Sequence, residues 1–192
     1  MKITPCEHGL EHIGKSGPRT PGLHMSAIYN SLYQEMEPTR FIKGSAPDPL
    51  RLEAGLAFES FLEEAIKARL GNGGGRPGEL ISEEGILYNP DLLCFNGVSR
   101  VGEVKLTWMS SKEVPREPGN SFPPKFSKYL CQMMAYGRCL ETPHGRLIAF
   151  FVNGTYKPMT PELLAWDITF SKREMDENWT MLMNHAKQRK ML

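Results

Sequence analysis

Two acidic residues and a lysine near the middle of the chain have the types and spacing for metal-assisted chemistry. Asp91 follows Pro90, and Glu103 and Lys105 come later, in the strand-like run SRVGEVKLTW. Residues two apart in a strand point to the same face, so Glu103 and Lys105 project together. If Asp91 lies on the neighbouring strand, two carboxylates and one ammonium converge, which suits a hard divalent cation such as Mg²⁺. The alternative is a surface ion pair, which contributes only ~0–1 kcal/mol.

Lys105 has a separate task in such a cluster. Its ammonium can hold or help deprotonate the water that attacks a phosphorus atom, or it can stabilise the charge that develops on the phosphate. Because Glu-x-Lys is a common pattern, this interpretation depends on what surrounds it.

Glu59 is a third acidic candidate, on a predicted helix. On a helical wheel it lies within an apolar face, whereas Glu53 and Glu64 lie well round the wheel. That face consists of Leu52, Leu56, Ile66 and Leu70. A carboxylate buried there needs a cation or a hydrogen-bond donor as partner. The alternative is that Glu59 and Glu63 form a solvated edge of the helix.

Helices are predicted on both sides of these residues in the sequence. They cover about 24–36, 50–70, 127–141 and the segment after Ser171. Asp48 as N-cap, Pro49 at the first helical position and Gly71 past the end delimit the second helix. Ser171 and Glu174 form a capping-box pattern at the start of the last one.

Strands are predicted mainly between these helices. The strand-like runs are ISEEGILYN, DLLCFN, SRVGEVKLTW, RLIAFFVN and LAWDITF. The resulting order, α-α-β-β-β-α-β-β-α, predicts an α/β (α+β) fold in which a central mixed sheet has helices on both faces. We expect one domain over 1–192, with 1–22 as an irregular N-terminal arm.

The turn between two of these strands decides whether the acidic residues meet. A strict two-residue Asn96-Gly97 hairpin would pair Asp91 with Gly102 and leave Glu103 on the opposite face. An odd loop or a one-residue bulge would instead bring Asp91 opposite Glu103. We therefore predict such an irregularity between Phe95 and Gly102.

Composition sets bounds on compartment and partners. With 192 residues and a formal net charge of +1, the chain has no general attraction to nucleic acid, so any DNA contact must use local basic patches. The four cysteines form no framework and are interpreted as reduced thiols. We find no signal-peptide pattern and no apolar stretch of membrane-spanning length, and we expect a soluble, cytoplasmic protein.

Taken in order, the motifs resemble the PD-(D/E)xK nucleases, in particular the RecB-like and phage lambda-exonuclease-like branches. The resemblance covers Gly55-x-x-x-Glu59 on a helix, Pro90-Asp91, Glu103-x-Lys105, and Gln132-x-x-x-Tyr136 on the following helix. It implies a restriction-endonuclease-like core and a metal-dependent DNA nuclease of phage or recombination type.

The resemblance also implies roles for individual residues. Asp91, Glu103 and the backbone carbonyl of Val104 would bind Mg²⁺, for which Mn²⁺ would substitute, and Glu59 would add a direct or water-mediated ligand. RecB-like members often have His at the position of Glu59, whereas lambda-type members resemble this chain in having Glu, and both branches stay open. The iron–sulfur members carry cysteines near the C-terminus, whereas this chain has none after Cys139, so no iron–sulfur cluster is expected.

DNA contacts are expected near this site. By the resemblance, Gln132 and Tyr136 approach the DNA strand, and the segment from Arg19 to Ser26 is similar to the N-terminal region of phage-type members. There His24 or Ser26 contacts DNA or caps the helix, and for Ser26 we favour the cap. Other candidate phosphate contacts are Lys15, Arg40, Lys43, Lys112, Arg116, Lys125, Lys128, Lys187, Arg189 and Lys190. Phe122 and Trp108 could stack on an unpaired base or pack in the core.

Three functions fit these observations. The first is an exonuclease or end-processing enzyme, the second a structure-specific endonuclease with the same site, and the third a non-catalytic DNA-binding protein that keeps the fold. DNA is the expected partner in each, and a homo-oligomer or a recombination partner protein is a further expectation from the resemblance.

Overall fold

The computed structural model describes residues 20–37, 49–70, 74–75, 78–95, 99–117, 119–153 and 160–192. For some of these residues the structure describes the backbone and not the side chain: 49–52, 62–63, 66–70, 74–75 and 92–95. Several predictions fall on residues outside it, namely those for Cys6, Lys15, Arg19, Arg40, Lys43, Asp48, Gly71, Asn96 and Gly97.

The four helices follow the predicted order, but five strands rather than three lie between the second and third helices, because the strand Gly74–Gly75 was not predicted and one predicted strand is divided in two. The helices are α1 (Met25–Met36), α2 (Pro49–Leu70), α3 (Ser127–Cys139) and α4 (Lys172–Gln188). The strands are β1 (Gly74–Gly75), β2 (Leu80–Ile81), β3 (Leu87–Tyr88), β4 (Leu92–Phe95), β5 (Ser99–Thr107), β6 (His144–Phe151) and β7 (Glu162–Thr169). The capping box at the start of α4 is confirmed, because Ser171 Oγ accepts from the Glu174 N–H while the Glu174 carboxylate accepts from the Ser171 N–H.

Five of the strands form a mixed sheet in the order β1-β4-β5-β6-β7. Only β5 and β6 are parallel, and α3 provides the crossover that a parallel pair requires. The predicted mixed sheet flanked by helices is therefore confirmed.

The register between β4 and β5 confirms the predicted irregularity. Phe95 pairs with Ser99 and Leu92 with Gly102, so three residues, 96–98, connect the paired positions. One further step of this register brings Asp91 opposite Glu103. An odd loop thus gives both acidic residues the same face of the sheet.

The run ISEEGILYN is not one strand, contrary to the prediction. Its ends form β2 and β3, which pair with each other as a separate two-stranded sheet. Between them Gly85 has φ +77°, and its N–H donates to the Ser82 carbonyl, so a tight turn folds the run back on itself.

Most of the core lies between one face of the large sheet and the helices α1, α3 and α4. The pairing register places Val101, Glu103 and Lys105 of β5 on this face, beside Leu147 and Ala149 of β6. All of these except Lys105 are buried, so the charged cluster lies at the edge of an apolar core. On the other face, Phe58 of α2 packs against Phe150, with ring centroids 5.4 Å apart.

Two cysteines belong to α3, as predicted. Cys131 is buried and Cys139 half-buried, and both are free thiols. None of the helices in the described residues is both long and apolar enough to cross a bilayer.

Candidate active site

The Lys105 ammonium lies at the centre of the charged cluster. Its Nζ is 2.8 Å from Glu103 Oε1, 3.1 Å from Asp91 Oδ2 and 3.8 Å from Glu59 Oε1. The structure thus brings together all four side chains that the sequence singled out for chemistry, although they come from α2, from β5 and from the residue before β4.

Asp91 is fixed by the backbone of β5 as well as by Lys105. Its Oδ2 accepts a hydrogen bond from the Val104 N–H at 2.9 Å. Because the N–H and C=O of one strand residue point to the same neighbouring strand, the Val104 carbonyl also faces the Asp91 side of β5. The Val104 carbonyl oxygen and the Asp91 carboxylate therefore lie on the same side of β5.

Glu59 reaches the cluster from α2, and the one described apolar neighbour on its side of the helix is exposed. The Glu59 side chain is 20% exposed, and Leu56, which shares its side of the helix, is 39% exposed. The prediction of a buried apolar face is therefore wrong for Leu56. The side chains of Leu52, Ile66 and Leu70, the rest of that face, lie outside the described residues. The predicted cationic partner is present, since Glu59 contacts Lys105.

Glu103 is the most confined member of the cluster. Its side chain is completely buried, and neither carboxylate oxygen has a hydrogen bond of good geometry to the described residues, although Oε1 contacts Lys105. Burial raises the pKa of Glu103 to about 8, the Lys105 ammonium opposes this, and the neighbouring Asp91 adds to it. For Lys105, burial lowers the pKa, but the three carboxylates outweigh this effect and hold it well above its ordinary value.

This charge balance fits a divalent cation. With all three acids ionised, one ammonium cannot neutralise them, so the buried Glu103 keeps a proton until a further cation reaches it, as its raised pKa indicates. Among the described residues, no three acidic, histidine or cysteine side chains already form a metal cage. The Lys105 ammonium lies among the three carboxylates instead.

A cavity of about 520 Å³ opens onto the cluster. Asp91 and Lys105 line it, together with the predicted pair Gln132 and Tyr136. Gln132 Nε2 donates to Tyr136 Oη at 3.1 Å, and both side chains are buried. The pair therefore forms a fixed wall of the cavity, one helical turn apart on α3.

Known structures show the same fold. A phage-related exonuclease from Haemophilus somnus 129PT has a TM-score of 0.56 and 8% identity, over 88% of this chain and 93% of that one. The chain has the fold of the phage-type exonucleases. LHK-Exo, an alkaline exonuclease from Laribacter hongkongensis solved in complex with dAMP, has a TM-score of 0.51 and 12% identity, over 88% of each chain. No protein-family model matches the sequence, and no curated protein does either.

The prediction that Ser26 caps α1 is wrong. Ser26 does not cap the helix, because the N-cap is His24, with no side-chain hydrogen bond to the first turn. His24 forms a parallel bridge to Leu87 of β3, which keeps it extended, so the helix begins directly after it. Ser26 and His24 both line the cavity.

Two of the lysines predicted to bind DNA, Lys125 and Lys128, differ in position. Lys128 lines the cavity. Lys125 is not part of its lining, and its Nζ is 3.3 Å from Glu113 Oε2 on the surface. Arg19, a further DNA-binding candidate, lies outside the described residues.

The two aromatic candidates for base stacking also differ. Phe122 packs against Phe126 and Trp166, with ring centroids 5.3 and 5.1 Å away. Its ring is thus engaged in the core, whereas Trp108 is 39% exposed.

Sequence reasoning missed three tyrosines that line this cavity. Tyr29, Tyr88 and Tyr129 line it together with Tyr136. For Tyr129 a signal existed, since it stands three residues before Gln132 and so shares its helix face. Tyr29 and Tyr88 come from distant segments, and no local pattern predicts that they meet.

Proposed function

We propose that this protein is a metal-dependent deoxyribonuclease that hydrolyses phosphodiester bonds, acting as an exonuclease or end-processing enzyme. The observation that carries the proposal is the convergence of Glu59, Asp91 and Glu103 on Lys105 at the wall of a cavity. The exonuclease fold of the neighbours supports the same conclusion, as does the nucleotide dAMP bound by one of them.

Mg²⁺, with Mn²⁺ as substitute, is the proposed cofactor. Asp91, Glu103 and the Val104 carbonyl would hold it, with Glu59 as a further ligand, and oxygen ligands of this kind suit these cations. A divalent cation here would supply Lewis-acid stabilisation of the charge that develops on the phosphate. Glu103 fits this role, because it is completely buried and, among the described residues, no donor satisfies its Oε2.

Lys105 acts as a cation rather than as a base. Because the three carboxylates keep its pKa well above the ordinary value, it carries its proton at neutral pH. It therefore donates hydrogen bonds to the attacking water or to a phosphate oxygen. A positioned donor of this kind stabilises developing charge without reorganising.

The DNA strand would enter through the cavity. Gln132 and Tyr136 form one wall and Ser26 another, and Lys128 provides a positive charge for the phosphate backbone. Lys125 and Arg19 are proposed as outer contacts to the backbone. A cytoplasmic location, a homo-oligomer and a recombination partner remain predictions.

Digestion of end-labelled linear DNA and closed circular DNA tests the proposal, with Mg²⁺, Mn²⁺ or EDTA in parallel. We expect loss of linear DNA with either metal and no cutting in EDTA. Cutting of circles would instead identify an endonuclease with the same site. If well-folded protein cut neither substrate with either metal, the proposal would be wrong and a DNA-binding role would be favoured.

A further inference from the structure

The Tyr129 ring contacts two ammonium groups at the cavity. Its centroid is 5.5 Å from Lys105 Nζ and 5.1 Å from Lys128 Nζ. Distances below about 6 Å are those at which the negative face of an aromatic ring attracts a cation. A single ring therefore links the lysine of the acidic cluster to the lysine proposed to bind the backbone.

The Tyr129 ring is fixed by packing against Phe126. Phe126, which is only 1% exposed, meets it edge-to-face with centroids 5.6 Å apart. Its position on α3, three residues before Gln132, places Tyr129 on the helix face that lines the cavity. A core residue and a helix thus fix where the ring can lie.

The Tyr129 ring restricts the position of the Lys105 ammonium. Glu103 and Asp91 attract the ammonium at 2.8 and 3.1 Å, and the ring offers a second attraction outside this pair. A long lysine side chain has many rotamers, and each additional contact to the ammonium restricts them. The ammonium is thereby held at the cavity wall, where a phosphate oxygen can reach it.

We infer that Tyr129 is a positioning residue of the site: its ring holds the Lys105 and Lys128 ammoniums so that both face a phosphate bound in the cavity. This inference rests on the proposed function. The inferred role belongs to the Tyr129 ring and not to its hydroxyl. It therefore differs from a role of Tyr129 as a proton donor or a substrate ligand.

The test compares Tyr129→Phe, which keeps the ring, with Tyr129→Leu, which removes it and keeps apolar volume. Phe122→Leu is the matched control, because it removes a ring that packs on the same Phe126 and is not among the residues that line the cavity. With linear DNA and Mg²⁺, we expect Tyr129→Leu to lower kcat about tenfold through Lys105 and to raise KM about two- to fivefold through Lys128. Tyr129→Phe and Phe122→Leu should stay within about twofold of wild type.

A second readout does not depend on cleavage. In protein labelled with ¹³C-lysine, the ring current of Tyr129 should displace the ε-methylene signal of Lys105, which Lys105→Arg identifies by its absence. The displacement should persist in Tyr129→Phe and vanish in Tyr129→Leu.

The outcomes separate the two proposals. If wild type cuts DNA but Tyr129→Leu cuts equally well, or if the lysine signal does not move, the role of Tyr129 is refuted and the nuclease stands. If Tyr129→Phe is as slow as Tyr129→Leu, the hydroxyl matters and the inference is also refuted. Wild type that cuts nothing refutes the proposed function itself, together with the role that rests on it.

Discussion

The two faces of β5 and β6 carry two ion clusters of opposite character. On one face, Lys105 lies among three carboxylates, and Glu103 is completely buried. On the other, Arg146 donates to both oxygens of Asp167 at 2.7 and 2.9 Å, and the Asp167 side chain is 52% exposed. Arg146 pairs with Gly102, one residue before Glu103, so the faces are adjacent in the same strands.

The difference shows how a structural ion pair can be told from a functional cluster. The hydrogen bond from Arg146 lowers the pKa of Asp167, as expected for a satisfied carboxylate. Burial has the opposite effect on Glu103 and raises its pKa to about 8. Around Asp167 the two guanidinium groups of Arg146 and Arg100 outnumber the carboxylate, whereas the Lys105 cluster has an excess of negative charge that a divalent cation can balance.

The largest difference between the two clusters is expected in turnover. Asp91→Asn removes one negative charge from the Lys105 cluster and should reduce single-turnover cleavage about 10³-fold, with weaker metal binding. Asp167→Asn is the matched substitution on the other face and should cleave at nearly the wild-type rate. Similar losses in both variants would remove the distinction between the clusters.

The second-largest difference is expected in how much a metal ion raises the Tm of variants at the two clusters. At about 100 times its Kd, Mg²⁺ or Mn²⁺ should raise the Tm of wild type by roughly 5–10 °C, because only the folded state presents the site. Thermal unfolding of Glu103→Gln should show little of this shift, whereas Asp167→Asn should keep it. A full shift in Glu103→Gln would place metal binding elsewhere.

The pH dependence of stability sharpens the comparison further. In EDTA, folded Glu103 titrates at about 8 and the unfolded residue near 4.5. Between these values the folded state keeps a proton that the unfolded state has lost, so the free energy of unfolding falls as pH rises through this window. Glu103→Gln should flatten this slope in urea titrations. Asp167, whose pKa is lowered from 3.8, should not affect it, and an unchanged slope in Glu103→Gln would contradict the assignment.

The smallest effect is expected at Arg146. Arg146→Ala breaks an exposed pair, which typically costs ~0–1 kcal/mol in urea denaturation. Cleavage should remain within about twofold of wild type. A large loss of stability would mean that this pair is more than a surface contact.

Local rules were enough to predict much of the site. The two-residue period of a strand put Glu103 and Lys105 on one face. The Asn96-Gly97 turn signal by itself would have left Asp91 on the other face, so the odd loop was predicted only because the acidic residues had to meet. Long-range packing was not predictable in the same way. The approach of α2 to β5 and the bridge of His24 to β3 depend on contacts between distant segments, so Glu59 was left with two interpretations and the cap at Ser26 was wrong.

The most direct test of the central claim is single-turnover cleavage of linear DNA by Lys105→Ala beside Arg146→Ala, in Mg²⁺. The account predicts that Lys105→Ala cleaves about 10³-fold more slowly or not at all, while it stays folded and keeps most of its DNA affinity. Arg146→Ala should cleave like wild type. Cleavage by Lys105→Ala at nearly the wild-type rate would contradict the assignment of the active site.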